Sequence, residues 1–186
     1  MAPPPGRARW FAVDLDRVSA PWAFARGEPF RTIAALELFA TLICVVVFST
    51  GWPEGAHGAM AIQGIADNAG NTFAVTRLMS SKFPLIVILA ELAMQLRRRA
   101  VSLDLQWVPR DQNEEADALT NGAYGSFDPR RRLPIDPAKI EWLALPRLLE
   151  VSEVLCKDIQ ELKAAKGAAK AAPHRRAPGF RQANPW

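Results

Sequence analysis

The chain has 186 residues, which is enough for one domain with extensions or for two small domains. A hydrophobic content of 49% permits a packed core, and the net charge of +4 favours an anionic partner only mildly. The two cysteines, Cys44 and Cys156, have neither the spacing of a metal site nor the number that a disulfide framework needs.

The N-terminal residues contain no hydrophobic signal-peptide region. The apolar runs at 38–48 and 83–90 are shorter than the ~20 residues that a membrane-spanning helix needs, and a glutamate abuts each run. We therefore expect an intracellular protein without a membrane partner, in which both runs are buried helices.

The apolar patterns between residues 9 and 121 predict strand, helix, strand, helix, helix, strand and helix. This order is typical of an α/β fold with right-handed crossovers and some parallel pairing. The predicted ranges are strand 9–16, helix 30–48, buried strand 60–66, helix 72–80, helix 84–99, a strand from 103 that Pro109 ends, and helix 113–121. Trp22 and Phe24 lie in the intervening loop and are expected to pack against apolar neighbours.

The composition changes after residue 124, and this divides the rest of the chain. Proline and arginine mark a linker at 125–144, and a helix at 145–166 repeats leucine every seven residues. Such a stripe predicts a face that docks on the same chain, with a partner-binding face as the alternative. The ends, 1–8 and 167–186, are predicted to be disordered, and the basic tail could hold nucleic acid non-specifically.

Three carboxylates occupy informative positions in this pattern. Glu37 is a lone charge among apolar residues of the first helix, and burying it is costly unless it is paired or metal-bound. Asp67 directly follows the strand at 60–66, where α/β proteins commonly place ligand groups, and Asp117 lies on the helix after the last strand. Oxygen-only clusters of this kind suit Mg²⁺ or Mn²⁺.

Each of these carboxylates also has an ordinary interpretation. Glu37 could act as a cap or pair with an arginine such as Arg31, and Asp67 could be a residue of the turn that follows its strand. Asp117 could be an exposed helical residue. Carboxylates from a helix, a strand end and a second helix can converge on one spot, so the metal-binding interpretation stays open beside these alternatives.

Three motifs, taken in order, resemble the RNase H fold. They are Leu36-Glu37-Leu38 in the first helix, Asp67-Asn68 after a strand, and Trp107-Val108-Pro109 leading into Asn113-Glu114-Glu115-Ala116-Asp117-Ala118-Leu119. The likeness is to RNase H-like domains of retroelement reverse transcriptases, including the DIRS-type group. It covers about residues 9–121 and places an RNase H-like domain at 9–124.

The resemblance implies an α/β fold: an RNase H-like mixed sheet with flanking helices, its first strands missing, followed by a C-terminal helical extension. In the family, two Mg²⁺ ions bridge the scissile phosphate of RNA in an RNA–DNA hybrid; one activates the attacking water and the other stabilises the leaving oxygen. The residues that match are the catalytic metal ligands Glu37, Asp67 and Asp117 and the nucleic-acid contacts Asn68, Arg110 and Asn113.

Two features depart from the family pattern. The family's first catalytic aspartate lies on the first of three antiparallel strands, whereas the single strand candidate before the Glu37 helix matches the third; Asp14 and Asp16 are the available substitutes. The loop 110–112 also lacks the histidine that family enzymes often carry there. Two hypotheses follow. The first is a ribonuclease that acts on RNA–DNA hybrids, with an upstream polyprotein segment as a further partner. The second is an inactive remnant that binds nucleic acid non-specifically or serves as an interaction module.

Overall fold

The computed structural model describes residues 8–24, 27–50 and 60–152, together with residues 154, 158, 161 and 162. Within this part the chain is a mixed α/β structure, and residues 145–152 are also helical. The elements are α1 (Ile33–Phe48), β1 (Met60–Ala66), α2 (Ala69–Arg77), α3 (Leu85–Arg98), β2 (Val101–Trp107) and α4 (Glu114–Thr120). The predicted tail at 167–186 lies outside the described residues, as do residues 51–59 and most of the disordered N-terminus predicted at 1–8.

Strands β1 and β2 are parallel neighbours, in a register that runs from Met60 opposite Val101 to Ala66 opposite Trp107. The helices α2 and α3 connect them, as parallel pairing requires a crossover rather than a tight turn. The predicted parallel pairing is therefore confirmed. The prediction that the strand at 60–66 is buried is wrong, because its residues alternate between half-buried and exposed.

The core lies between α1 and α3 and continues onto β2. Leu38 and Leu42 of α1 and Ile88 and Leu92 of α3 are completely buried, and Leu105 extends the same cluster from β2. Burial of each such side chain stabilises the fold by roughly 1.5–3 kcal/mol relative to an exposed position. The strongly apolar sequence of α1 is explained by this packing.

Residues Pro29–Phe48 form a helical stretch of 20 residues with a mean hydropathy of 2.1, long and apolar enough to cross a membrane. The stretch is longer than the apolar run at 38–48 because a 3₁₀ turn (Pro29–Thr32) continues directly into α1. Core helices of globular proteins meet the same criterion, and 44% of the most apolar window is buried inside the structure. The contact with α3 favours the role of a core helix.

The predicted strand at 9–16 is not part of a sheet, which corrects the expected element order. Its backbone makes one isolated parallel bridge, in which Trp10 N–H donates to the Arg131 carbonyl at 3.2 Å and the Trp10 carbonyl accepts from Leu133 N–H at 2.7 Å. The Trp10 ring packs against Tyr124 and Phe127 at centroid distances of 5.3 and 5.4 Å. Aromatic packing against a distant segment thus takes the place of strand pairing.

The segment at 125–144 carries further 3₁₀ turns and packs on the core through Ile135, Ile140 and Trp142. It leads to the helical residues at 145–152, whose start is held by the completely buried carboxylate of Glu91 on α3. The Glu91 oxygens accept from the N–H groups of Leu143 at 2.9 Å and of Ala144 and Leu145 at 2.8 Å each. Of the helix predicted at 145–166, residues 154, 158, 161 and 162 are also described, and all are helical.

Candidate functional site

Charged and amide side chains from α1, α2 and the β2–α4 connection meet at the carboxyl end of β1. Asp67 and Asn68 directly follow β1, and the strand register places them beside the end of β2. Trp107, the last residue of β2, donates its indole N–H to the Asp67 carbonyl at 3.1 Å. This bond fixes the backbone from which the Asp67 side chain projects.

Two amides hold the carboxylate of Glu37. Its Oε2 accepts from Asn68 Nδ2 at 2.7 Å and from Asn71 Nδ2 at 3.2 Å. Asn71 is almost completely buried and also donates to the Ala34 carbonyl at 2.9 Å, one turn before Glu37 on α1. The amides therefore tie α1 to the start of α2 and orient Glu37 toward the end of β1.

Asn68 has a second role at the start of α2. Its Oδ1 accepts from the N–H groups of Gly70 at 3.0 Å and Asn71 at 3.3 Å, which is the geometry of a helix N-cap. The cap starts α2 at Ala69, three residues before the predicted start at residue 72. The helix forms earlier than its apolar pattern suggests because the cap satisfies its first N–H groups.

The electrostatics of Glu37 show which charges surround it. Partial burial raises the pKa of Glu37 above its ordinary value, and the neighbouring charge of Asp67 raises it further. The hydrogen bond from Asn68 and the positive charge of Arg110 act in the opposite direction. Glu37 therefore lies within electrostatic reach of both Asp67 and Arg110.

Arg110 binds Asp117 directly and lies within electrostatic reach of Asp67 and Glu37. Its Nε donates to Asp117 Oδ1 at 3.0 Å, and its Nη2 contacts the same oxygen. The pKa of Arg110 is raised mainly by Asp117, with smaller contributions from Asp67 and Glu37. Carboxylates from α1, the end of β1 and α4 thus act on one guanidinium.

The donor chemistry of this cluster fits a hard cation, since carboxylate and amide oxygens are the groups that Mg²⁺ prefers. Among residues 8–24, 27–50 and 60–152, however, no group of three or more histidine, cysteine, aspartate or glutamate side chains is arranged to hold a metal ion. The Arg110 side chain is 74% exposed, so water and salt screen its ion pair with Asp117. A metal ion competing for Asp117 would therefore displace a weakly held partner.

The structure brings five of the six predicted site residues together: Glu37, Asp67, Asn68, Arg110 and Asp117. The sixth, Asn113, precedes α4, and its carbonyl accepts from the Asp117 N–H at 3.1 Å; no side-chain cap bond forms there.

Asp14 and Asp16, the substitutes considered for the family's first catalytic aspartate, lie in the extended N-terminal segment. Asp16 accepts from the N–H groups of Val18 and Ser19 at 3.0 and 2.7 Å, so it shapes a local turn, and these bonds lower its pKa. Asp14 lies on the exposed side of the extended segment. Arg31 was the alternative ion-pair partner for Glu37. Its guanidinium lies over the Phe30 ring at 5.7 Å, whereas Glu37 accepts from the amides of Asn68 and Asn71.

Two residues of the site were not predicted from the sequence. Asn71 binds Glu37, and Asn121 donates from Nδ2 to Asp117 Oδ2 at 3.0 Å. Their spacings give a usable signal, because Asn71 follows the cap residue Asn68 by three positions and Asn121 follows Asp117 by four on one helical face.

No protein-family model, no curated protein and no solved structure matches the chain.

Proposed function

We propose that the chain is an RNase H-like domain of retroelement origin that hydrolyses the RNA strand of an RNA–DNA hybrid with Mg²⁺. The observation that supports this proposal is that Arg110 binds Asp117 and lies within electrostatic reach of Glu37 and Asp67 at the end of a parallel strand pair. Open α/β sheets bind ligands at the carboxyl ends of their strands, which is where this cluster lies.

The proposed roles follow from the contacts. Glu37, Asp67 and Asp117 would hold the metal, which when bound supplies a Lewis acid for water activation and leaving-group stabilisation. Asn68 and Asn71 keep the Glu37 carboxylate oriented toward the site. Arg110, once released from Asp117, would bind a phosphate of the nucleic acid, since its planar donors match phosphate oxygens.

The second candidate is nucleic-acid binding without hydrolysis. The pairing of Arg110 with Asp117 favours it, because a guanidinium already neutralises a carboxylate that the metal would need. The net charge of +4 is compatible with binding to a phosphate backbone in either case.

A cleavage assay on labelled RNA–DNA hybrid, with Mg²⁺ or Mn²⁺ titrated, tests the nuclease. Glu37→Gln, Asp67→Asn and Asp117→Asn should each reduce cleavage to background, because each removes one proposed ligand. Asp104→Asn is the matched control, since Asp104 is an exposed carboxylate on β2 whose side chain accepts only from Gln106 among the described contacts. Cleavage should persist in this control.

The folded wild-type chain failing to cleave at every metal concentration would rule out the nuclease. Hybrid binding that weakens with rising salt in that same preparation would then support the second candidate. Absence of binding at low salt would rule out the second candidate as well.

A further inference from the structure

The outer edge of β1 has no backbone partner among the described residues. The Ala66 carbonyl accepts from Val108 N–H at 3.0 Å, so the backbone groups of Ala66 face β2. Because N–H and C=O groups alternate along a strand, those of Ala61, Gln63 and Ile65 face the opposite edge. These are the groups that an additional strand would need.

This edge opens into a groove of about 1470 Å³ between the extended segment at 8–15, α1 and α4. Gln63 and Ile65 line the groove, together with Leu36 and Ile43 of α1. Ile65 is 58% exposed, so its side chain is accessible to a ligand in the groove. The groove therefore combines backbone groups that have no partner in the described part of the chain with an apolar floor.

The described rim of the groove is acidic. Asp14, Asp111, Glu114 and Glu115 line it and are all exposed. No lysine is among the lining residues that the structure describes, and the one arginine, Arg9, lies over the Phe48 ring at 5.9 Å. The charge of the rim favours a basic occupant.

We propose that the outer edge of β1 binds an extended basic segment of another polypeptide chain as an added strand. An extended backbone is the ligand that supplies alternating donors and acceptors at strand spacing, and side chains at alternate positions would reach the apolar floor. Exposed strand edges attract such partners unless they are protected by charge, proline or a bulge. Strand β1, Met60–Ala66, contains neither a charged residue nor a proline. The proposal does not depend on the nuclease activity.

The first experiment uses a fluorescent peptide of alternating lysine and valine, blocked at both ends and long enough to span β1. We expect saturable binding by anisotropy to the full chain. Two further forms of the peptide carry N-methyl groups, one form on the N–H groups of one edge and the other on those of the opposite edge. Their affinities should differ: the form that has lost its donors to β1 should bind at least about tenfold more weakly than the parent peptide. A glutamate–valine peptide should also bind more weakly, because the rim is acidic.

The second experiment changes the protein. Gln63→Pro removes one outward N–H but leaves the groups that pair with β2, and proline is tolerated at edge strands when its nitrogen faces away from the sheet. We expect about tenfold weaker peptide binding. Gln63→Thr is the comparison variant, because it alters the same side chain and keeps the N–H; it should weaken binding less than Gln63→Pro does.

Thermal unfolding checks that both variants are folded. If Gln63→Pro does not fold, the two N-methylated peptides with the wild-type chain decide the question alone. Equal binding of both methylated peptides and the parent would overturn the proposal. A concentration-dependent dimer that Gln63→Pro abolishes, without peptide binding, would also overturn it by assigning the edge to a second copy of the chain.

Discussion

At the scale of single residues, Glu37 couples the site to pH. Partial burial and the charge of Asp67 raise its pKa above the ordinary value of 4.5. The folded protein therefore binds a proton at Glu37 more tightly than the unfolded chain does. Its contribution to stability is therefore complete below pH 4.5 and is lost as pH rises through the raised pKa.

Glu37→Gln should remove this dependence, because the amide stays neutral while its oxygen can still accept from Asn68. The melting temperature of the variant relative to the wild type is expected to increase as pH rises from below 4.5 to neutral. Melting curves over that range provide the measurement. Parallel pH profiles for the two proteins would contradict the assignment.

Cys44 gives a second prediction at this scale. Burial raises the pKa of its thiol to about 11, so the reactive thiolate is scarce at neutral pH. In a Cys156→Ser background, alkylation by iodoacetamide should be at least about a hundredfold slower than for a free thiol and should become fast in denaturant. Equal rates in the native and denatured chain would show that the thiol is accessible.

At the scale of elements, the buried carboxylate of Glu91 connects α3 to the start of the helical residues at 145–152. Glu91→Ala would leave the N–H groups of residues 143–145 without their acceptor. We expect a loss of about 3 kcal/mol or more in the free energy of unfolding, measured by urea denaturation.

The matched control for Glu91 is Glu141→Gln. The Glu141 side chain is 77% exposed and pairs with Arg98 at 3.1 Å, so this change should cost less than about 1 kcal/mol. Similar losses for the two variants would mean that the buried hydrogen bonds do not determine stability here.

The elements also show what could be predicted from the sequence. The helices α1 and α3 and strand β1 were placed closely because their apolar residues form continuous runs. The start of α2 was missed because it depends on one side chain, Asn68, rather than on periodicity. The strand predicted at 9–16 is wrong because an alternating apolar pattern does not show which segment will pair with it. Trp10 packs against the rings of Tyr124 and Phe127 instead.

The site was predictable to a similar degree. Glu37 stands out among apolar residues, and Asp67 and Asp117 were grouped with it because of their places on the predicted elements and because of the resemblance. The amides that hold them, Asn71 and Asn121, are ordinary polar residues in sequence and are recognised only by their distances. The ion pair of Arg110 with Asp117 depends on how a loop folds back onto α4, which no local pattern encodes.

At the scale of the whole molecule, Trp10 ties the N-terminal segment to the connection before the C-terminal helix. It is buried, donates from its indole to the Asp128 carbonyl at 2.9 Å and packs under the guanidinium of Arg132 at 5.2 Å. Trp10→Ala should lower the free energy of unfolding by roughly 3–5 kcal/mol. Trp10→Phe keeps most of the packing and loses the hydrogen bond, so about 1 kcal/mol is expected.

Chemical denaturation of the Trp10 variants gives these values, and proteolysis of the native proteins provides a second test. Trp10→Ala should expose sites in both the extended segment and residues 124–133, because each holds the other in place. Cleavage in the extended segment alone would show that the connection is stable without it.

The double role of Asn68 makes the start of α2 sensitive to the occupancy of the site. Its amide nitrogen holds Glu37 while its oxygen caps the N–H groups of Gly70 and Asn71. A cation that took Glu37 Oε2 from Asn68 would leave this amide free to rotate, and the first turn of α2 would then lose stiffness. Binding would thus register as faster hydrogen exchange at the backbone amides of Gly70 and Asn71, which touch no ligand. Asn68→Asp would uncouple the two events, because aspartate keeps the cap and repels Glu37.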